Sequence, residues 1–376
     1  MKLIPKSSSI SRFFFFYCAF CNTELFGSNV SNEHIIPNAI GGKKGTKKFI
    51  CNDCNNRYGK TWEAELAEST KFFCNYIGIK RQRGETPPVQ LKSDKEDLLL
   101  RNDGSMSIAT PKFEVTNLED DKVQIKGKVR TRDEAKKNFK KIKSKYALSI
   151  SLEEMLKQIN FSKEYTQEKL AITFYFKHEM AKSMIKSCLA LLAENSLLNS
   201  NCEKSIRYLK GECLNAAPYF PIYETNLVTN RPSDDIFHCV AVSGSSKVKK
   251  ILGYVEYFNF IRIGVELDDN YNGDEFYYNY SVNPVIGQKI DIEVDFTKFK
   301  QKKIFNEDIF PAQFSETLTD AMKIMYKKNQ ELEIKRIVDE IFLQSSLNTE
   351  DDLNKLLIKI SQNFETFVEN QLIKKP

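Results

Sequence analysis

Apolar positions recur in three rhythms along this chain of 376 residues, and each rhythm predicts a different kind of element. Over residues 55–69, Trp62 and Leu66 stand at helical spacing among alternating charges, which predicts a first helix with Trp62 as a core anchor. The segment Gly84-Glu85-Thr86-Pro87-Pro88 breaks regular structure, so an N-terminal module is expected to end at residue 83. Residues 89–130 read as short strands with polar turns such as Asn102-Asp103-Gly104. From residue 166 to 196, Leu170, Phe174, Phe176, Met180, Met184, Ile185, Cys188, Leu189 and Leu192 return every three or four positions, which predicts a long helix. Between residues 247 and 296 the period falls to two, with Tyr254, Val255, Tyr257 and Phe258 before one turn and Phe276, Tyr277, Tyr278 and Tyr280 after it. The last seventy residues return to helix, over 313–343 and again over 351–372.

The expected architecture is therefore α+β: a module of residues 1–83, then a larger mixed α+β region of residues 84–376. Within the latter, strands and a basic stretch take 84–160, the long helix 165–198, a β-rich part 236–298 and helices 310–373. The acidic turn Asp268-Asp269-Asn270-Tyr271-Asn272-Gly273 fails as a calcium loop, because its twelfth position is Asn279 where a bidentate Glu is needed. A hairpin turn is expected there instead.

Chemistry concentrates in the first sixty residues. Cys18-x-x-Cys21 and Cys51-x-x-Cys54 bracket Glu33-His34-Ile35-Ile36-Pro37, and Asn55 follows the last cysteine. Two C-x-x-C pairs separated by one loop supply the four thiolates of a closed structural Zn²⁺ site, which holds shape and performs no chemistry. Between the clamps stand a carboxylate, an imidazole and an amide, a set suited to metal-assisted attack of water on a phosphodiester. The strings Cys-Ala-Phe-Cys, Glu-His-Ile-Ile-Pro-Asn-Ala-Ile-Gly-Gly and Cys-Asn-Asp-Cys-Asn resemble the HNH endonuclease family in its zinc-stapled ββα-metal form, over residues 11–68.

That resemblance implies a β-hairpin and a helix gripping one divalent ion. His34 matches the general base. Glu33 and Asn55 match the positions that hold a catalytic Mg²⁺ or Mn²⁺, and Cys18, Cys21, Cys51 and Cys54 match the zinc ligands. The family's middle residue has no counterpart in residues 45–50, which leaves Asn38 or a backbone carbonyl to hold the imidazole. An imidazole base predicts activity that rises from acid toward mildly alkaline pH.

Charge sharpens this picture. The net charge is +6, and residues 1–60 carry nine Lys or Arg against three Asp or Glu, while the remainder balances. Lys43, Lys44, Lys47 and Lys48 follow the histidine on a Gly-Gly-Lys-Lys-Gly loop and, with Arg57, are the candidate contacts to a DNA backbone. A second basic stretch, residues 122–145, predicts a strand and then a helix with Ala135, Phe139 and Ile142 inward. Whether its lysines meet phosphate or only water is open from sequence. His178 and His238 read as packed residues rather than ligands.

Composition, 41% hydrophobic and 28% charged, fits a soluble cytoplasmic protein with no membrane span. The run Phe13-Phe14-Phe15-Phe16-Tyr17 is too short to cross a bilayer and is expected to be a strand. Cys74, Cys188, Cys202, Cys213 and Cys239 show no disulfide spacing and read as buried apolar residues. The apolar face of the last helix needs a cover, supplied by the chain's own core or by a second protomer in a homodimer. Three functions compete: an HNH endonuclease of the restriction or phage-defence kind, a zinc-stabilised DNA-binding protein that does not cut, and a structural zinc knuckle.

Overall fold

The computed structural model describes residues 16–117, 123–146, 148–157, 170–198, 202–212, 217–299, 312–344, 358 and 361. Most of the expected phenylalanine strand, Cys213 and nearly all of the expected helix over 351–372 lie outside the described residues. The fold is mixed α+β and divides into two units interleaved along the chain, rather than two blocks that follow one another. The first unit comprises residues 1–70, 79–84 and 175–324, the second residues 71–78, 85–174 and 325–376.

In the first unit, a short antiparallel hairpin pairs Glu33–His34 with Gly45–Thr46, in the register Glu33 to Thr46 and His34 to Gly45. The helix Asn52–Tyr58 follows, with Cys51 as its N-cap: the Cys51 Sγ accepts from the Cys54 N–H. The helical path continues through one π turn, Gly59–Glu63, into Ala64–Ser69. A π turn inserts an extra residue per turn and re-aims the side chains on it. Here Trp62 is buried and stacks on Tyr58 at 4.3 Å, with Phe20 at 5.8 Å.

The same unit holds a six-stranded antiparallel sheet in the order Gln288–Lys289, Phe276–Asn283, His238–Ser245, Lys250–Tyr257, Ile261–Asp268, Tyr219–Pro221. Ile261–Asp268 and Phe276–Asn283 are not neighbours, so the turn at 268–273 joins no hairpin and carries the chain across to another strand. Local alternation marks strands but not which strands pair. That turn is anchored by the Tyr271 N–H, which donates to the Lys249 carbonyl at 3.0 Å.

The helix His178–Glu194 lies against the hairpin, the π turn and the central strands. Every residue from Met180 to Ala193 except Lys182 is buried, the polar Ser183, Lys186 and Ser187 included. Its closeness to the sheet shows at Gly253, where an added Cβ would meet the Cys188 Sγ at 2.7 Å. The helix is shorter than the sequence rhythm predicts. Residues 170–177 have no regular structure, and Phe174 and Phe176 are half-buried while Ile172 and Tyr175 are exposed, an extended period of two.

In the second unit, Val89–Leu91, Leu98–Leu100 and Met106–Ile108 form a three-stranded meander, and Lys112–Asn117 pairs with Val123–Lys128. The helix Arg132–Lys145 starts at Thr131, whose hydroxyl accepts from the Glu134 N–H, an N-cap of ordinary form. It buries Ala135, Phe139 and Ile142 with Met155, as its amphipathic pattern predicts. The helix Ala312–Gln344 contributes residues to both units; in the second, Asn329 donates to the carbonyls of Tyr76 and Gly104. Among the described residues no helix is long and apolar enough to cross a membrane.

Candidate active site and zinc clamp

The four cysteine sulfurs of the two C-x-x-C pairs lie within 4.8 Å of one another. Cys18, Cys51 and Cys54 are buried and Cys21 is exposed. The surroundings drive the thiols apart. Burial raises Cys54, as does the charge of Cys18, whereas at Cys21 burial is outweighed by the Thr23 hydroxyl and backbone, which bring it down to about 6. Four thiolates this close repel strongly, and a tetrahedral Zn²⁺ is the ion whose softness and geometry resolve that. A Zn²⁺ held there would fasten the first turn of the helix Asn52–Tyr58 to the turn at Cys18 and Cys21, and so fix both ends of the segment that carries Glu33 and His34.

Neighbouring residues of a strand point to opposite faces, and that rule separates the Glu-His pair. His34 is half-buried, and its Nε2 lies 2.8 Å from the Gln82 Oε1. The Gln82 Nε2 donates to the Lys43 carbonyl at 3.2 Å, which can only accept, so the amide presents its oxygen to the ring. A neutral His34 therefore carries its proton on Nε2, which makes Nδ1 the acceptor of the ring. Asn38 acts one step behind: its Oδ1 accepts from the Gln82 N–H at 2.8 Å. Two further bonds tie the segment to the histidine loop, from the Lys43 Nζ to the Lys80 carbonyl and from the Arg81 Nε to the Ala39 carbonyl, each 3.2 Å.

Glu33 faces the interior, with its side chain 3% exposed, and its Oε1 accepts from the Lys186 ammonium. The same ammonium donates to Glu63 Oε1, brought round by the π turn. Burial pushes the Glu33 carboxyl up to about 7; Lys186 pulls it down and Glu63 raises it again. At Glu63, burial is outweighed by Lys186 and the nearby His34, and its carboxyl lies below the ordinary value. Asn55 is half-buried and its Nδ2 donates to the Ser31 Oγ at 2.6 Å. As it stands, Glu33 does not fit the Mg²⁺ or Mn²⁺ site expected of it with Asn55, because its carboxylate is buried against a protein cation.

The loop lysines divide. Lys48 donates to the Glu194 carbonyl at 2.9 Å and to the Ser196 Oγ at 3.2 Å, and Lys44 pairs with the Glu194 carboxylate at 3.5 Å. Both cations thus sit at the C-terminal end of the buried helix, where its dipole favours positive charge. Lys47 and Arg57 are exposed, the latter in the last turn of its helix. Sequence reasoning missed Gln82, Glu63 and Lys186, and also the tract Lys80-Arg81-Gln82-Arg83, whose three cations within four residues were legible.

Elsewhere in this unit His238 is buried in the sheet. Its Nδ1 accepts from the Phe258 N–H at 3.1 Å, so its Nε2–H donates to the Ile40 carbonyl at 2.9 Å and ties the histidine loop to the sheet. Burial pushes this imidazole down to about 4.

Comparison with curated proteins and with solved structures gives no match. Residues 18–71 match the HNH endonuclease family, a span that runs from the first zinc-clamp cysteine past the π turn and includes Glu33, His34 and Asn55. Over that N-terminal span, and there alone, the chain is similar to the HNH endonuclease family.

Proposed function

We propose that the protein is a metal-dependent DNA endonuclease in which His34 is the general base that activates water against a phosphodiester. One observation carries this: the His34 imidazole is held through Nε2 by an amide whose orientation is itself fixed, which makes Nδ1 of the neutral ring the nitrogen that can take a proton. Exposed Lys47, Lys80 and Arg83 offer charge to a DNA backbone on the same segments, with Arg57 on the adjoining helix. A divalent ion of the Mg²⁺ or Mn²⁺ class would, when bound, neutralise charge on the phosphate. His34 takes the proton of the attacking water, Gln82 keeps the ring in place, and the zinc clamp keeps the loop in register. A restriction or phage-defence role is part of the proposal by analogy of architecture, a small HNH module joined to a large α+β region.

The test is conversion of supercoiled plasmid in Mg²⁺ or Mn²⁺ by the zinc-loaded protein and by His34→Ala at equal zinc content. General-base removal predicts a loss of roughly 10²–10⁴-fold. Equal cleavage by both proteins would remove His34 from the mechanism. The burial of Glu33 against Lys186 favours a second reading, a zinc-stabilised module that binds DNA without cutting. Retarded DNA mobility with no cleavage in either protein would select it.

A further inference from the structure

Lys186 stands where two carboxylates from different segments converge. Its ammonium donates to Glu33, on the strand Glu33–His34, and to Glu63, at the end of the π turn. The lysine side chain is 1% exposed, in the middle of a buried helix whose other buried residues are apolar apart from Ser183 and Ser187. Lysine is almost never fully buried unless it is paired, and its long stem loses much rotamer freedom when fixed. Two carboxylates facing one cation are also the oxygen donors that a hard divalent ion takes. A single ammonium brings one positive charge to a pair of groups that can carry two negative ones. The arrangement is thus built as a cation site, and the protein fills it from its own chain.

We propose that the Lys186 ammonium is the resident cation of the Glu33–Glu63 site, so that Glu33 takes no divalent ion while Lys186 is in place. This rests on the assignment of Glu33 to the acidic position of the HNH motif. Lys186 is then a positioning residue: it holds Glu33 inward on one face of the strand, away from the face where His34 meets Gln82. Any divalent ion that works with His34 then does so without Glu33.

The experiment is Mn²⁺ binding to the zinc-loaded full-length chain, read as loss of the free-Mn²⁺ electron paramagnetic resonance signal. Wild type and Glu33→Gln should bind Mn²⁺ with affinities equal within about twofold. Lys186→Met should acquire a site at least tenfold tighter than any in wild type, and Lys186→Met combined with Glu33→Gln should lose it. Wild-type affinity tenfold above that of Glu33→Gln would overturn the proposal, and so would a folded Lys186→Met with no new Mn²⁺ site. Should Lys186→Met fail to fold, the comparison of wild type with Glu33→Gln decides alone. The readout is binding, so failure of the nuclease reading would appear separately, as an uncut plasmid with these affinities unchanged.

Discussion

Two buried glutamates in the same unit, Glu33 and Glu256, have opposite fates. Glu256, on the strand Lys250–Tyr257, accepts a two-pronged pair from Arg231 at 2.6 and 2.9 Å, another bond from the Arg262 Nε at 3.0 Å and one from the Tyr254 hydroxyl at 2.7 Å. Burial raises its carboxyl, but Arg262 and Arg231 outweigh that and hold it below the ordinary range. Glu33 shares one ammonium with a second carboxylate and is pushed up to about 7. Burial is nearly the same; what differs is the count of cations. Two guanidiniums per carboxylate make a finished structural knot, whereas one ammonium for two carboxylates leaves a charge deficit beside the family motif. Groups perturbed by burial and a charged partner concentrate at functional sites.

The most drastic way to break this contrast is to remove the metal that shapes one side of it. Chelation of zinc should unfold the segment 18–58, because thiolate-zinc sites contribute on the order of 10 kcal/mol to folding. The sheet that carries Glu256 should keep its secondary structure, and zinc release measured against circular dichroism checks both halves. Next in size are the clusters themselves. Glu256→Gln leaves two guanidiniums uncompensated, and Lys186→Met leaves two carboxylates; each should cost about 3–5 kcal/mol in denaturant unfolding. Only the Lys186→Met loss should be recovered by added Mn²⁺. Recovery in both variants, or in neither, would erase the distinction.

The two glutamates also predict opposite pH slopes. The folded value of Glu33 lies above its unfolded one, so its contribution to stability is present below about 4.5 and lost as pH rises through 7. Glu256, held low, contributes above the unfolded value and loses that as pH falls. His238 adds to the acid side: its folded value of about 4 lies below the unfolded 6.5, so its contribution is present above 6.5 and lost as pH falls to 4. Linkage puts that loss at about 3 kcal/mol. A His238→Gln variant should therefore show a flatter stability profile between pH 6.5 and 4, while Glu33→Gln should flatten the profile between 4.5 and 7.

What the sequence made legible follows from the range of each interaction. The four-cysteine cluster and the family pattern could be read because ligands three residues apart and a motif of five are local patterns. The helix Arg132–Lys145 was equally legible, since its inward face repeats within its own turns. Gln82 and Lys186 reach the motif from 48 and 153 residues away, brought by packing that no local rhythm encodes. The helix start at His178 was misplaced because Phe174 and Phe176 satisfy a helical count while alternating as extended chain. The turn at 268–273 was taken for a hairpin because alternation identifies strands and says nothing of their order.

The smallest effect, and the one that most sharpens the contrast, is at Gln82. Lys186 and Gln82 each hold one member of the Glu33–His34 pair, the first by a buried charge and the second by an exposed amide. Loss of a partner that orients a functional imidazole costs about 10–100-fold in activity, which is roughly 1.4–2.7 kcal/mol at the transition state. Because Gln82 is exposed, Gln82→Ala should leave the unfolding midpoint within about 0.5 kcal/mol of wild type. The ring would then be free to turn and to place its proton on either nitrogen, so kcat should fall with little change in KM. Gln82→Glu keeps an oxygen toward the Nε2–H and should retain more activity than the alanine variant. A fall in stability equal to the fall in rate would make Gln82 a strut of the fold, on the same footing as the arginines around Glu256, rather than the group that readies His34.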